Sequence, residues 1–390
     1  MREVNLSGRH VQRRRGSALN PHPALNQQSN RRIDVTSKRA AAAIAVRLML
    51  CAAMACPALA KPAPPPASAA SASAASAGGA SASSGAASSA ASNGNAKSPT
   101  PGSAASALAA QAASAASAAV AAAAQHAADV VAHLDPRDAL KLRGQFGHDV
   151  TRRLNAPPAD QLAYGQRLQA ALAAKGLATL ARQYVVLVDR NPNVQAVFIY
   201  FRGDPASAWT LIGASPVSTG WPGRYDHFVT PLGVFEHTPR NMDFRAEGTF
   251  NENGIRGYGA RGSRIFDFGW TDALRGWGKG GVSSMRFQMH ATDPDRLEPL
   301  LGIRHSKGCV RIPGSLDRFL DHFGVLDAEY QAMTDAGLSL WVLHPDRAVT
   351  PWAGRYLVVV DSGDKSRPRW SPLPRPEVRA RVPEGADTAD

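Results

Sequence analysis

Three cysteines in 390 residues exclude a disulfide-stapled scaffold, and 28 prolines with 34 glycines lacking a three-residue period exclude a collagen-like chain. Aromatic residues make up only 7% and charged residues 19%. The scarcity is local: residues 67–124 are almost wholly Ala and Ser, with no aromatic side chain and one charge, Lys97. Such a stretch has nothing to bury and builds no core. Folding is left mainly to residues 130–360, enough for one good hydrophobic core and a small helical addition.

Acidic residues are also few, 31 against 44 Lys and Arg, for a net charge of +13. Ten basic and two acidic side chains fall within the first 60 residues, so only five of those thirteen charges belong to the remainder. The basicity is therefore no argument for a nucleic-acid partner. It fits an export signal: Lys38 and Arg39, an apolar run over 40–55, then Ala58, Leu59 and Ala60 ahead of Lys61. Arg47 interrupts that run and leaves it shorter than the roughly 20 residues of a membrane span, so cleavage after Ala60 and no lasting span are expected. The expected location is the periplasm or cell envelope. Cleavage would remove Cys51 and Cys56 and leave Cys309 alone in an oxidising compartment, which flags a reactive thiol or an intermolecular bridge.

The chain reads as an export region over 1–60, an Ala/Ser/Pro-rich spacer over 61–125, a helical appendage over 126–183, a catalytic domain over 184–345 and a terminal strand and tail over 346–390. The alanine content favours helix over 103–134, and Asp135 with Pro136 predicts a capped start for a second helix. A third starts at Pro157–Pro158, with Leu162, Leu168 and Leu172 as its apolar stripe. From 184 the pattern turns extended. Runs over 184–188 and 196–201, separated by Arg190, Asn191, Pro192 and Asn193, predict a hairpin. Further strands are expected at 209–213, 216–219, 233–237, 284–290, 339–344 and 356–360, with one helix over 315–323 capped by Ser315. The fold class is mainly β, a sandwich or barrel with a short helix. The tail from Lys365 is expected to fray.

Chemistry concentrates between His290 and Arg311. His290 ends a strand, and His305-Ser306-Lys307-Gly308-Cys309-Val310-Arg311 follows. A thiol with a pKa near 8.5 is only a few per cent thiolate at neutral pH, so a nucleophilic Cys309 needs a base, and His290 is the candidate. Gly308 removes side-chain bulk beside a developing oxyanion, and Lys307 and Arg311 add positive field.

His290, a short gap, then Ser306-Lys307-Gly308-Cys309-Val310-Arg311 resembles the signature of the YkuD-type L,D-transpeptidases. Residues 184–200, 216–220 and Thr230-Pro231-Leu232-Gly233-Val234-Phe235 resemble that family's upstream segments in the same order. The resemblance covers about 184–345 and implies a β-rich domain in which Cys309 attacks a peptidoglycan stem peptide and His290 moves the proton. It also implies orientation by Ser306, substrate binding by Lys307, and a role for Arg311 in holding the loop or binding a substrate carboxylate. The chain departs from many members in having Lys307 where they have His, and Ala291 where some have a polar residue. The Gly-rich segment 256–281, carrying Trp270 and Trp277, is expected to form a lid over the donor cleft.

The reading is an exported cysteine acyltransferase acting on stem peptides, with another stem peptide, a cell-envelope protein, an amino acid or water as acceptor. The alternatives are a cysteine-dependent murein carboxypeptidase or hydrolase and a non-catalytic wall-binding module held by charge. Zinc on His290, His305 and Cys309 has suitable donors but no short paired motif and no fourth ligand, so neither metal nor cofactor is expected.

Overall fold

The computed structural model describes residues 101–381. Residues 1–100, with the expected export signal and most of the expected spacer, and the last nine residues lie outside the described residues. Helix α1 (Pro101–His133) takes up the rest of the Ala-rich tract, as that residue's high helix propensity dictates. By length and composition, 105–133 is apolar enough to cross a membrane. Arg182 anchors its end, donating through Nη1 to the carbonyl oxygens of Val131 (2.8 Å), which also accepts from the Leu134 amide, and of Leu134 (3.2 Å). Asp135 then caps a 3₁₀ turn (Pro136–Lys141) by accepting from the Arg137 amide, and α2 (Leu142–Asp149) and α3 (Pro158–Ala174) follow.

Two open sheets form the centre of a mixed α/β domain. The first has the order β3 (Thr210–Pro216), β2 (Ala196–Phe201), β1 (Tyr184–Asp189), β9 (Tyr356–Val360), β4 (Gly233–Glu236), antiparallel except for the parallel β1–β9 pair. The second has the order β5 (Phe244–Arg245), β6 (Arg264–Leu274), β7 (Val282–Ala291), β8 (Val310–Ile312), with β7 and β8 parallel. Neither closes on itself, so the barrel alternative does not hold, and the helices make the class mixed rather than mainly β.

β1 is buried along its whole length because it is covered on both faces. Val186 and Val188 face a core shared with Phe266, Phe287, Met289, Val310 and Ile312 of the second sheet, and with Phe146 of α2. Val185 and Leu187 face the opposite side, where Tyr164, Leu168 and Leu172 of α3 pack. The helices expected to form an appendage thus belong to the same two cores as the sheets. Helix α4 (Gly314–His322) adds Leu316, Phe319 and Leu320 to the first core, and α5 (Ala328–Asp335) lies nearby in sequence. A buried ion cluster ties them to β6: Arg264 donates to Asp243 (2.7 Å), Asp321 (3.1 Å) and Asp327 (2.7 Å).

Several expectations need correction. Residues 264–274, expected inside a lid, are a strand, with Gly269 at φ +82° taking the bulge between the paired positions Asp267 and Trp270. Residues 339–344 form no strand; the Val342 carbonyl is instead taken by the Arg245 side chain. The first of the strands expected at 209–213 and 216–219 is β3, which runs on to Pro216; the second does not form, Ser218 making only an isolated bridge to Arg311. Ser315 does not cap α4; its hydroxyl accepts from the Thr151 amide at 3.1 Å. The tail past Lys365 is fastened: Trp370 packs on Tyr164 and Phe198 and donates to Asp160 at 2.6 Å, and the Ser371 hydroxyl reaches the Val194 carbonyl at 2.5 Å. It ends in a short helix, α6 (Pro376–Arg379).

Candidate active site

The site grows from the pairing of β7 with β8, which sets Met289 beside Val310 and His290 beside Arg311. Carried back one step, the register puts Cys309 level with Gln288. Side chains alternate across a strand, and Met289 and Val310 both point into the core. Gln288, His290 and Arg311 therefore belong to the other face, while Cys309, the residue just before β8, packs against the edge of the first core. The Cys309 thiol is half-buried, and its Sγ lies 3.9 Å from the Arg286 carbonyl oxygen.

The loop before β8 is held by segments distant in sequence. Thr219 accepts from the amides of His305 (3.0 Å) and Ser306 (3.1 Å), Ser218 bridges to Arg311, and Trp221 donates to the Ser306 carbonyl. Thr219 itself is braced by Gln195, whose side-chain oxygen accepts from its amide at 2.8 Å. The Thr230 hydroxyl donates to the Gly308 carbonyl at 2.6 Å and accepts from the Gly220 amide at 2.8 Å. Ser306 Oγ donates to the Cys309 carbonyl at 2.7 Å while accepting from the Gly308 amide at 3.1 Å. These bonds fix the backbone that carries the thiol.

Gly308 sits at φ +134°, a conformation L side chains rarely adopt, and a Cβ there would lie 2.8 Å from Met285 Cε and 3.0 Å from Phe228 Cβ. Its amide is spent on Ser306, so the glycine serves loop conformation rather than supplying a donor to an oxyanion.

His290 is buried, and its Nδ1 lies 2.6 Å from the Ala291 carbonyl oxygen. A carbonyl only accepts, so Nδ1 carries the hydrogen and Nε2 keeps the lone pair. The residue after the histidine thus orients it through its backbone, and the side chain of Ala291 is immaterial to that bond. Burial, followed by the positive charge of Arg311, pulls the imidazole pKa down to about 3. His290 is a neutral base at any ordinary pH. The ring of Tyr258 packs on it with centroids 4.6 Å apart.

Arg311, expected to hold the loop or bind substrate, is only 1% exposed and donates through Nη1 to the His305 carbonyl at 2.7 Å. It is an internal cation whose field acts on the two histidines. Lys307 is half-buried in the loop, its carbonyl accepting from the Phe228 amide. His305 stacks on Trp221 at 5.4 Å, with Arg224 over the same indole. Its pKa is also lowered to about 3, by burial and then by Arg311 and Arg224. Among the described residues no group of three or more His, Cys, Asp or Glu side chains is gathered to hold a metal ion.

Sequence reasoning missed a polar chain beside these groups. Buried Asp267 accepts from Arg286 Nε (2.7 Å) and Gln288 Nε2 (2.8 Å), and the Tyr258 hydroxyl donates to Gln288 Oε1 at 3.0 Å. The available signal was the alternation of Arg286, Gln288 and His290. Trp277, expected in the lid, stands in the β6–β7 turn and packs on Phe228 at 4.8 Å and Tyr225 at 5.9 Å.

No family model matches the chain, and no curated protein does either. Among solved structures it is similar to a fused Zn-dependent amidase/peptidase/peptidoglycan-binding domain-containing protein from Clostridium acetobutylicum, at 16% identity and a TM-score of 0.18. That likeness covers 54% of this chain and 66% of the other, and at such values it carries no argument about fold or activity.

Proposed function

We propose that the protein is an exported cysteine acyltransferase of the L,D-transpeptidase type that acts on peptidoglycan stem peptides. The observation that carries the reading is the pairing of β7 with β8, which sets a neutral, backbone-oriented His290 beside the loop of Cys309. The family-like sequence pattern around both residues supplies the substrate class. In the first step the thiol proton passes to His290 Nε2 as sulfur bonds to the carbonyl carbon of the third residue of a donor tetrapeptide. The carbon–nitrogen bond to the terminal D-Ala then breaks, and His290 returns the proton to the departing amine. In the second step an acceptor amine attacks the thioester, gives its proton to His290, and the thiol is restored. Burial, and then the charge of Arg311, keeps the free imidazole neutral, so that Nε2 is open to accept the proton.

Purified muropeptides incubated with the protein and a labelled D-amino acid test this by product mass spectrometry. Exchange of label for the terminal D-Ala, lost in Cys309→Ala, is expected. Only hydrolysed tripeptide across a wide range of amine concentration would instead make the protein a cysteine-dependent murein peptidase. No product with an intact fold would favour a wall-binding module.

A further inference from the structure

Arg286 stands four residues before His290 on the same face of β7, since Met285, Phe287 and Met289 of that strand take the core side. Its guanidinium is held from below. Nε donates to Asp267, a carboxylate with no solvent exposure that is itself fixed by Gln288 Nε2 and by the Gly269 amide at 2.8 Å. Nη1 and Nη2 donate to no described residue, and the side chain is 44% exposed. Trp270, paired with it across β6, is 69% exposed and walls the same surface. An arginine pinned through Nε with its fork turned outward is preorganised for a bidentate carboxylate, and little rotamer entropy remains to be lost on binding.

The order of groups along the direction of β7 identifies which carboxylate. Arg286 comes first, Cys309 is level with Gln288, and His290 follows, each step of two residues being about 7 Å. His290 hands its proton to the leaving amine, so the leaving group lies on the His290 side of the thiol and the retained acyl group extends toward Arg286. Arg311 is enclosed and cannot serve as this ligand. We infer that Arg286 is the specificity residue of the donor site, binding a carboxylate on the retained acyl half of the peptide, with Asp267 as its positioning residue. The inference rests on the acyltransferase reading above.

The test uses the purified full chain and two donors: L-Ala-γ-D-Glu-meso-diaminopimelate-D-Ala, and the same peptide with the free carboxylates of its second and third residues converted to carboxamides. Intact-protein mass spectrometry gives the half-saturating concentration and maximal rate of Cys309 acylation. Wild-type protein is expected to favour the carboxylate donor about tenfold in half-saturating concentration, the size of a lost charge-assisted hydrogen bond. Arg286→Gln is expected to raise that concentration about tenfold for the carboxylate donor alone and so erase the preference, with maximal rate within about twofold. Arg286→Lys should keep part of the preference, and Asp267→Asn should reproduce the glutamine variant more weakly. Iodoacetamide labelling of Cys309 should be unchanged in all three. A preference that survives Arg286→Gln, or an equal loss on both donors, overturns the inference while leaving the acyltransferase reading intact. No acyl-enzyme from either donor in wild-type protein overturns that reading and the inference with it.

Discussion

Replacing Gly308 with Ala tests whether the nucleophile loop depends on backbone conformation. The new Cβ would lie 2.8 Å from Met285 Cε, 3.0 Å from Met285 Sδ and 3.0 Å from Phe228 Cβ. The thioether can swing aside. Phe228 Cβ cannot, because its residue is tied to the loop by the bond from its amide to the Lys307 carbonyl. A non-glycine residue held at φ +134° adds about 1–3 kcal/mol of backbone strain, and the overlap about 1–2 kcal/mol more. Together these predict a loss of about 3 kcal/mol, a fall of roughly 10 °C in melting temperature for a domain of this size. The displaced loop should also slow iodoacetamide labelling of Cys309 in the folded protein. Adding Met285→Ala should recover no net stability, since it relieves neither the φ strain nor the Phe228 contact and empties a core position. Wild-type melting temperature and labelling rate in Gly308→Ala would refute the conformational reasoning.

Arg264→Met leaves Asp243, Asp321 and Asp327 buried without their shared cation, and is expected to cost about 3–5 kcal/mol in chemical denaturation; a loss under about 1 kcal/mol would contradict this. The pH dependence of stability should show two opposed trends. His290 and His305 stay neutral in the fold down to about 3, whereas the unfolded chain protonates them near 6.5. Their stabilising contribution is thus complete above about 6.5 and drains as pH falls toward 3, by up to about 1.4 kcal/mol per unit each. Asp317, raised to about 8 chiefly by burial, keeps a proton that the unfolded chain releases near 3.8, so its contribution is fullest below that and is lost as pH rises toward 8. Denaturation of wild-type protein and Asp317→Asn between pH 4 and 9 should show the acid-side fall in both and the decline toward pH 8 only in wild type; matching slopes in both would contradict the assignment.

β1, β2 and β9, buried along nearly their whole length, were legible as β-branched and aromatic runs, and β4 and β7, partly exposed, also fall where the sequence put them. β6 was not, because Gly269 and the glycines around the hairpin read as loop chemistry, and only pairing with β7 reveals that the glycine takes a bulge. The converse happened at 339–344, where an apolar run looked like a strand but had no neighbour to pair with, Arg245 meeting its carbonyl instead. At the candidate site, local order announced Cys309, His290 and Ser306. Asp267, Thr230 and Gln195 stayed hidden because each acts across a long sequence separation on a backbone or side chain that only the folded sheets bring near. The choice between loop and substrate for Arg311 was hidden for the same reason: residue type reveals a cation, and only tertiary packing decides whether it is enclosed.

The central claim is that Cys309 forms a thioester with His290 as its base. Acid-quenched intact-protein and peptide mass spectrometry after mixing with a stem tetrapeptide measures this directly. The expected result is an adduct of the tripeptidyl mass on Cys309, released by hydroxylamine, absent in Cys309→Ala and formed at least a hundredfold more slowly in His290→Ala, the size of a lost general base. An adduct that persists in Cys309→Ala, or no adduct in wild-type protein whose Cys309 still alkylates in the folded state, would contradict it.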